Sequence, residues 1–331
     1  MKWLAKLSIL ALVLLAPAIP CLAQARGGTA VERPAVAYTL DGVLYLASES
    51  GQVVRKIESE LPIGDFAISP DLKTVVFSPP HPGEVGGPLF ILDVAGGSIE
   101  PVMPDPYFND ASVADLAQFY SDPEFSRDGA QVVFATHAYG EGSDVQTSGP
   151  LAVLDVPSRT VGILRSTVGA DGFPLGHMGA AHWSPDGRRI LGNIEGHMFV
   201  TDAQGQALAE VFVPEGELSQ SADSYGVYAI GWLGAGCVLY QAGEDSARDP
   251  ARVLRMSARA TLPAAAMLRL PEDSLRGVRG VAGRLRLFPD PEGYRVEGPG
   301  GNWLIRGDRE IVFARLLPPQ SDGVLIPDEC R

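Results

Sequence analysis

The chain of 331 residues holds three cysteines, Cys21, Cys237 and Cys330. They stand too far apart in sequence to form a CxxC metal or redox motif. Positive charge is also scarce, with 26 Lys and Arg against 40 Asp and Glu and a formal net charge of −14. Nucleic acid and anionic membrane surfaces are bound through basic patches, so that balance argues against both as partners. No GxSxG nucleophile elbow, GxGxxG turn, GxxxxGK[ST] phosphate loop or HExxH zinc helix occurs in the chain, which removes the motif-borne enzyme classes and implies no cofactor. The only extended apolar run, Leu7 to Ile19, is broken by Pro17 and falls short of the roughly 20 residues that span a bilayer.

That run has another meaning. Lys2 and Lys6 precede it and the small-residue exit Ala23-Gln24-Ala25 follows, the layout of a secretory signal. Residues 1–25 are expected to be removed, leaving a chain that begins at Arg26, with no membrane span. The mature chain then has 24 basic residues against 40 acidic ones, a net charge of −16, and keeps two cysteines. In an oxidising compartment, periplasmic or extracellular, Cys237 and Cys330 can pair and pin the C-terminal tail to the body. The alternative is a buried Cys237 in a strand and a free Cys330.

The body is built from repeats. Ile63-Gly-Asp-Phe-Ala-Ile-Ser-Pro-Asp-Leu72, Tyr120-Ser-Asp-Pro-Glu-Phe-Ser-Arg-Asp-Gly129 and Met178-Gly-Ala-Ala-His-Trp-Ser-Pro-Asp-Gly187 superimpose, with serines at 69, 126 and 184. A fourth, diverged copy is Tyr228 to Gly236. Each copy is followed by a β-branched apolar run (Thr74 to Phe77, Gln131 to Phe134, Arg189 to Leu191, Cys237 to Tyr240). After the first three come a run ending in aspartate (Asp93, Asp155, Asp202) and a short outer strand. Four short strands per unit separated by Gly, Pro, Asp and Ser turns is the pattern of a propeller blade. Ile68, Phe125, Trp183 and Trp232, just before the turns, are expected to fill the wedges between blades. The strand-end aspartates recur once per blade, so they are expected to cap hairpins rather than to meet in one site.

The apolar-Ser-Pro-Asp-Gly turn with its following strands resembles the repeat of the TolB-like, WD40-like family of six-bladed propellers, also seen in propeller domains of prolyl-oligopeptidase-like enzymes. The resemblance covers Ile63 to Val213. It implies an all-β propeller of four-stranded antiparallel blades. Residues 35–57 supply three strands without an innermost one, and Glu310 to Leu316 supplies an orphan strand. Pairing the two closes the ring and removes exposed sheet edges. Six blades are expected, with seven as the alternative because 254–279 resists parsing. The divisions are a linker at 26–34, the propeller at 35–317 and a tail at 318–331. Asn109 to Phe119 reads as a short helix inserted between blades, from its capping residues and apolar spacing.

In such a fold the loops between blades, and those between the second and third strands, open at the channel mouth. Those loops carry His81, Asp105, His137, His177 and His197, while His182 lies on an innermost strand. Histidines and carboxylates converging there could hold a metal or act as acid and base, although none shows a closed ligand spacing. The leading expectation is a monomeric, non-enzymatic scaffold that binds a protein, a peptide or an envelope component. The alternative is a hydrolase or lyase with a site at the mouth, possibly metal-dependent.

Overall fold

The computed structural model describes residues 32–80, 88–102, 117–139, 146–165, 181–194, 197–211, 227–233, 237–242, 251–255, 267–268, 280–282, 285–307 and 313–317. They form six four-stranded antiparallel sheets, the blades of a β-propeller. Blade I contains β1 (Val36–Leu40), β2 (Val43–Ala47) and β3 (Val53–Ile57). Blade II is β4 (Phe66–Ile68), β5 (Thr74–Phe77), β6 (Phe90–Asp93) and β7 (Ile99–Pro101). Blade III is β8 (Ala117–Phe125), β9 (Gln131–Tyr139), β10 (Gln146–Asp155) and β11 (Thr160–Arg165). Blade IV is β12 (His182–Trp183), β13 (Arg189–Ile194), β14 (His197–Asp202) and β15 (Ala207–Val211). Blade V is β16 (Val227–Leu233), β17 (Cys237–Ala242), β18 (Ala251–Arg255) and β19 (Met267–Leu268). Blade VI is β20 (Gly280–Ala282), β21 (Leu285–Asp290), β22 (Gly293–Gly298) and β23 (Gly301–Arg306). The last strand, β24 (Ala314–Leu316), pairs with β1 in the order β24-β1-β2-β3 and supplies the innermost strand that blade I lacks. Of residues 254–279, 254–255 end β18 and 267–268 form β19, and the rest lie outside the described residues.

Closure is held by backbone on both sides of β24. Ala37 lies opposite Arg315 in the ladder, Thr39 N–H donates to Phe313 O at 2.9 Å, and Leu317 N–H donates to Ala35 O at 2.9 Å. The expected helix is corrected at its C-terminal end. Ala117, Gln118 and Phe119 are the first residues of β8, opposite Tyr139, Ala138 and His137, and the rest of that segment lies outside the described residues. The backbone donors and acceptors of 117–119 can complete a ladder with β9, and this long-range pairing outweighs the local helical spacing.

The second strands of blades II and III are apolar on both faces because both faces are covered. On β5, Val75 and Phe77 pack with Ala37, Leu44 and Leu46 of blade I, whereas Val76 packs with Phe125 and Phe134 of blade III. On β9, Val132 and Phe134 face blade II, and Val133 joins Trp183, Ile190 and Phe199 of blade IV. This period-two division explains why these strands read as unbroken apolar runs rather than alternating ones. The residues expected in the wedges are there: Ile68, Phe125 and Trp183 are buried, each in a cluster that joins two blades. Trp232 is only half-buried.

The turn of the repeat is organised by its serine. The hydroxyls of Ser69, Ser126 and Ser184 donate to Asp71, Asp128 and Asp186 at 2.7, 2.6 and 2.6 Å. Each also accepts the N–H five residues on, from Thr74, Gln131 and Arg189, at 2.9 Å. The same aspartates accept the backbone N–H of Lys73, Ala130 and Arg188. Gly129 and Gly187 close their turns at φ of 74° and 70°, and Leu72 takes 60° at the equivalent position, a left-handed conformation that favours glycine. The strand-end aspartates cap hairpins as expected: Asp93 accepts from Ala95 and Gly96, Asp155 from Ser158, and Asp202 from Gln204 and Gln206.

Hydrogen bonding from the turn serines holds the Asp71 and Asp128 carboxyls below their usual range. At Asp186 burial opposes that shift, and the bond from Ser184 with the neighbouring arginines overcomes it. Carboxyls depressed in this way stabilise the fold above the ordinary carboxylate range, and that contribution is lost as pH falls through their lowered values. Ser126→Ala is expected to cost about 1–3 kcal/mol in urea unfolding at neutral pH, because it strands the Gln131 N–H. The deficit should shrink as the solution is acidified below about pH 4.

Candidate functional site: the axial girdle

The innermost strands β4, β8, β12, β16, β20 and β24 lie against one another in succession around the axis. They share no ladder, so side chains join them. Arg315 on β24 donates from Nη2 to Asp65 Oδ1 at 2.8 Å, just ahead of β4. Asp65 Oδ2 accepts the backbone N–H of Asp122 on β8 at 2.6 Å, and Arg315 lies 3.8 Å from the Asp122 carboxylate. Glu124 on β8 reaches β12 twice, accepting the Trp183 N–H on Oε1 and facing His182 Nδ1 with Oε2, both at 2.8 Å. His182 reaches β16 through Nε2 to Ala229 O at 3.3 Å, and Trp232 Nε1 returns a bond to His182 O at 3.0 Å. Five blades are thereby linked in one chain of polar contacts.

Local sequence explains how the groups are presented. A β-bulge between Ser121 and Glu124 sets two residues of β8 against one on β9. Asp122 takes a φ of 52° there, and Pro123 has no N–H to lose. The Asp122 N–H freed by the bulge is the one that Asp65 accepts. Gly64 lets the chain pass before Asp65, since a Cβ at that residue would lie 2.7 Å from Ser78 O and 2.6 Å from Pro80 N.

Side-chain exposure within the girdle is 8% at Asp65, 16% at His182 and 44% at Asp122. Burial pushes the Asp65 carboxyl above its usual range against the pull of Arg315. Burial works against the charged form of Arg315, but Asp65 and Asp122 more than offset it and raise its pKa.

Of the channel-mouth candidates singled out from sequence, only His182 has a described side chain. His137 lies opposite Ser148 on β9 and His197 opposite Ile194 on β14, both beside loops between second and third strands. His81, Asp105 and His177 lie outside the described residues, as does Cys330. Cys237 is buried at the start of β17 and is disulfide-bonded. Among the described residues no three His, Cys, Asp or Glu side chains stand together as a metal site, and no helix is long and apolar enough to cross a membrane.

Asp65, Asp122, Glu124 and Arg315 were not among the sequence candidates. The repeat register does carry their signal. Glu124 and His182 each sit two residues before the turn serine, 58 apart, and Asp65 and Asp122 each sit four before it, 57 apart. Neighbouring blades therefore present them side by side.

The Arg315 pair predicts strong coupling. Arg315→Ala leaves the Asp65 carboxylate buried without its cation and should cost about 3–5 kcal/mol. Combining it with Asp65→Asn is expected to cost clearly less than the sum of the two single changes in a denaturant double-mutant cycle. Additive losses would show that the contact contributes no coupling.

No family model matches the sequence, and no curated protein matches it. Solved structures do. A putative TolB from Agrobacterium tumefaciens aligns at TM-score 0.48 and 15% identity over 86% of this chain and 87% of its own. TolB from Acinetobacter baumannii aligns at 0.46 and 14% identity, over 87% of this chain and 64% of its own, so the chain spans under two thirds of that protein. The β-propeller domain of the Trilobed protease from Pyrococcus furiosus aligns at 0.44 and 12% identity, over 81% and 75%. Six four-stranded sheets closed by β24 on β1 make the chain a β-propeller, and TolB structures are among the solved propellers to which it is similar.

Proposed function

We propose that the protein is an exported, non-enzymatic binding scaffold that docks a protein, a peptide or an envelope component on the channel face of its propeller, in the periplasm or outside the cell. One observation carries the preference for binding over catalysis. Glu124 and His182 have their polar atoms committed to blade seams: both Glu124 oxygens face blade IV, and both His182 ring nitrogens face acceptors on neighbouring blades. A general acid or base needs an atom free to reach a substrate, and these atoms hold the ring together instead. The loops at the mouth, bearing His81, Asp105, His137, His177 and His197, are then left to form a recognition surface carried on a rigid body. Acidity supports the reading by disfavouring nucleic acid and anionic membrane as partners.

The proposal includes processing to Arg26, a monomer, and a disulfide between Cys237 and Cys330. Native mass spectrometry of the exported protein reads all of these together. The expected species is a metal-free monomer that starts at Arg26 and contains the one disulfide. A photo-crosslinking residue placed at Asp105 or His197 should capture a discrete partner in cells, whereas one at Asp128 on the opposite face should not. A stoichiometric divalent metal that is lost on replacing His177 and His182 with alanine would contradict the scaffold and favour a hydrolase or lyase.

A further inference from the structure

His182 stands where three blades meet, and its surroundings specify its protonation. A neutral imidazole offers one N–H and one bare nitrogen. Both groups facing the ring are acceptors in their ordinary states: Glu124 Oε2 lies 2.8 Å from Nδ1 and Ala229 O lies 3.3 Å from Nε2. A backbone carbonyl cannot donate, and the Glu124 carboxylate already accepts the Trp183 N–H on its other oxygen. Either neutral tautomer leaves one ring nitrogen lone pair against an acceptor lone pair. Only the imidazolium, with two N–H groups, satisfies both seams.

We propose that protonated His182 is a pH-dependent clasp that ties blade IV to blades III and V, and that loss of its proton releases one of the two seams.

The charges around the ring agree with this assignment. From β8 the carboxylates of Glu124 and Asp122 favour the imidazolium; from β24 Arg315 opposes it, and Arg315 is itself bound to Asp65 beside β4. Arg189 of β13 has its guanidinium over the Trp232 ring, 4.7 Å from the centroid. On β16 the residues whose side chains are described, 229–232, include no ionisable group. Burial is the largest influence and disfavours the charged ring, but Glu124 and Asp122 outweigh it, so the His182 pKa is raised. A histidine raised in the fold adds stability that is complete below its unfolded value of about 6.5. That stability is lost as pH climbs through the higher folded value.

The clasp does not depend on what the channel face binds. Its direct test is an NMR titration of the mature protein with His81, His137, His177 and His197 replaced by glutamine, so that His182 is the sole imidazole. Its midpoint should lie above about 6.5 and should fall on adding Glu124→Gln. A second measurement compares thermal unfolding of the otherwise unaltered protein with His182→Gln from about pH 5.5 to 9. The gap between them should be widest at low pH and close as pH rises. A midpoint at or below about 6.5, or a gap that does not change with pH, would overturn the proposal. Should His182→Gln fail to fold, the NMR midpoint alone decides.

Discussion

The innermost strands of a propeller converge on its axis without pairing, and whatever joins them decides whether the blades act as one body. Here the joint is a run of side-chain contacts, from Arg315 to Asp65, from Asp65 to the Asp122 N–H, and from Glu124 to Trp183 and His182. It continues from His182 to Ala229 on β16. Charge-assisted hydrogen bonds among partly buried groups are strong when every member is satisfied and costly when one is removed. The rest of the ring is consistent with that constraint. The β8 bulge supplies the N–H that Asp65 needs, Gly64 gives Asp65 its approach, and closure of β24 on β1 brings Arg315 to the axis.

Farther from the axis the joint is apolar. The second strands of blades II and III send alternate side chains to opposite neighbours, as Val75 and Val76 do on β5 and Val132 and Val133 on β9. Blades I to IV therefore share core clusters with their neighbours. Polar turns of the Ser-Pro-Asp-Gly type hold the first two strands of blades II to IV in register, with the serine hydroxyl acting as donor to the aspartate and acceptor from the following strand.

Much of this architecture is legible in the sequence because it repeats. The turn serines at 69, 126 and 184, the apolar strands that follow them and the strand-end aspartates each recur once in blades II, III and IV. The leftover strands at the two ends then fit a single closure. At Ala117 to Phe119 the local spacing is helical and cannot report the ladder with β9. The girdle is not legible for a different reason. Its charges lie on and beside strands rather than in loops, and a lone Asp65 or Glu124 looks like any surface carboxylate until the repeat register sets it beside Asp122 or His182. Arg315 has no such register, because β24 comes from the far end of the chain.

If the girdle makes the blades one cooperative body, the amides that cross its seams should open only when the whole ring does. Native-state hydrogen exchange reads this directly at the Asp122 and Trp183 N–H groups, which donate to Asp65 and Glu124 in the neighbouring seams. Exchange within about tenfold of the central-strand amides of β5 and β9 is the predicted result. Exchange orders of magnitude faster, with the strands still protected, would contradict the account.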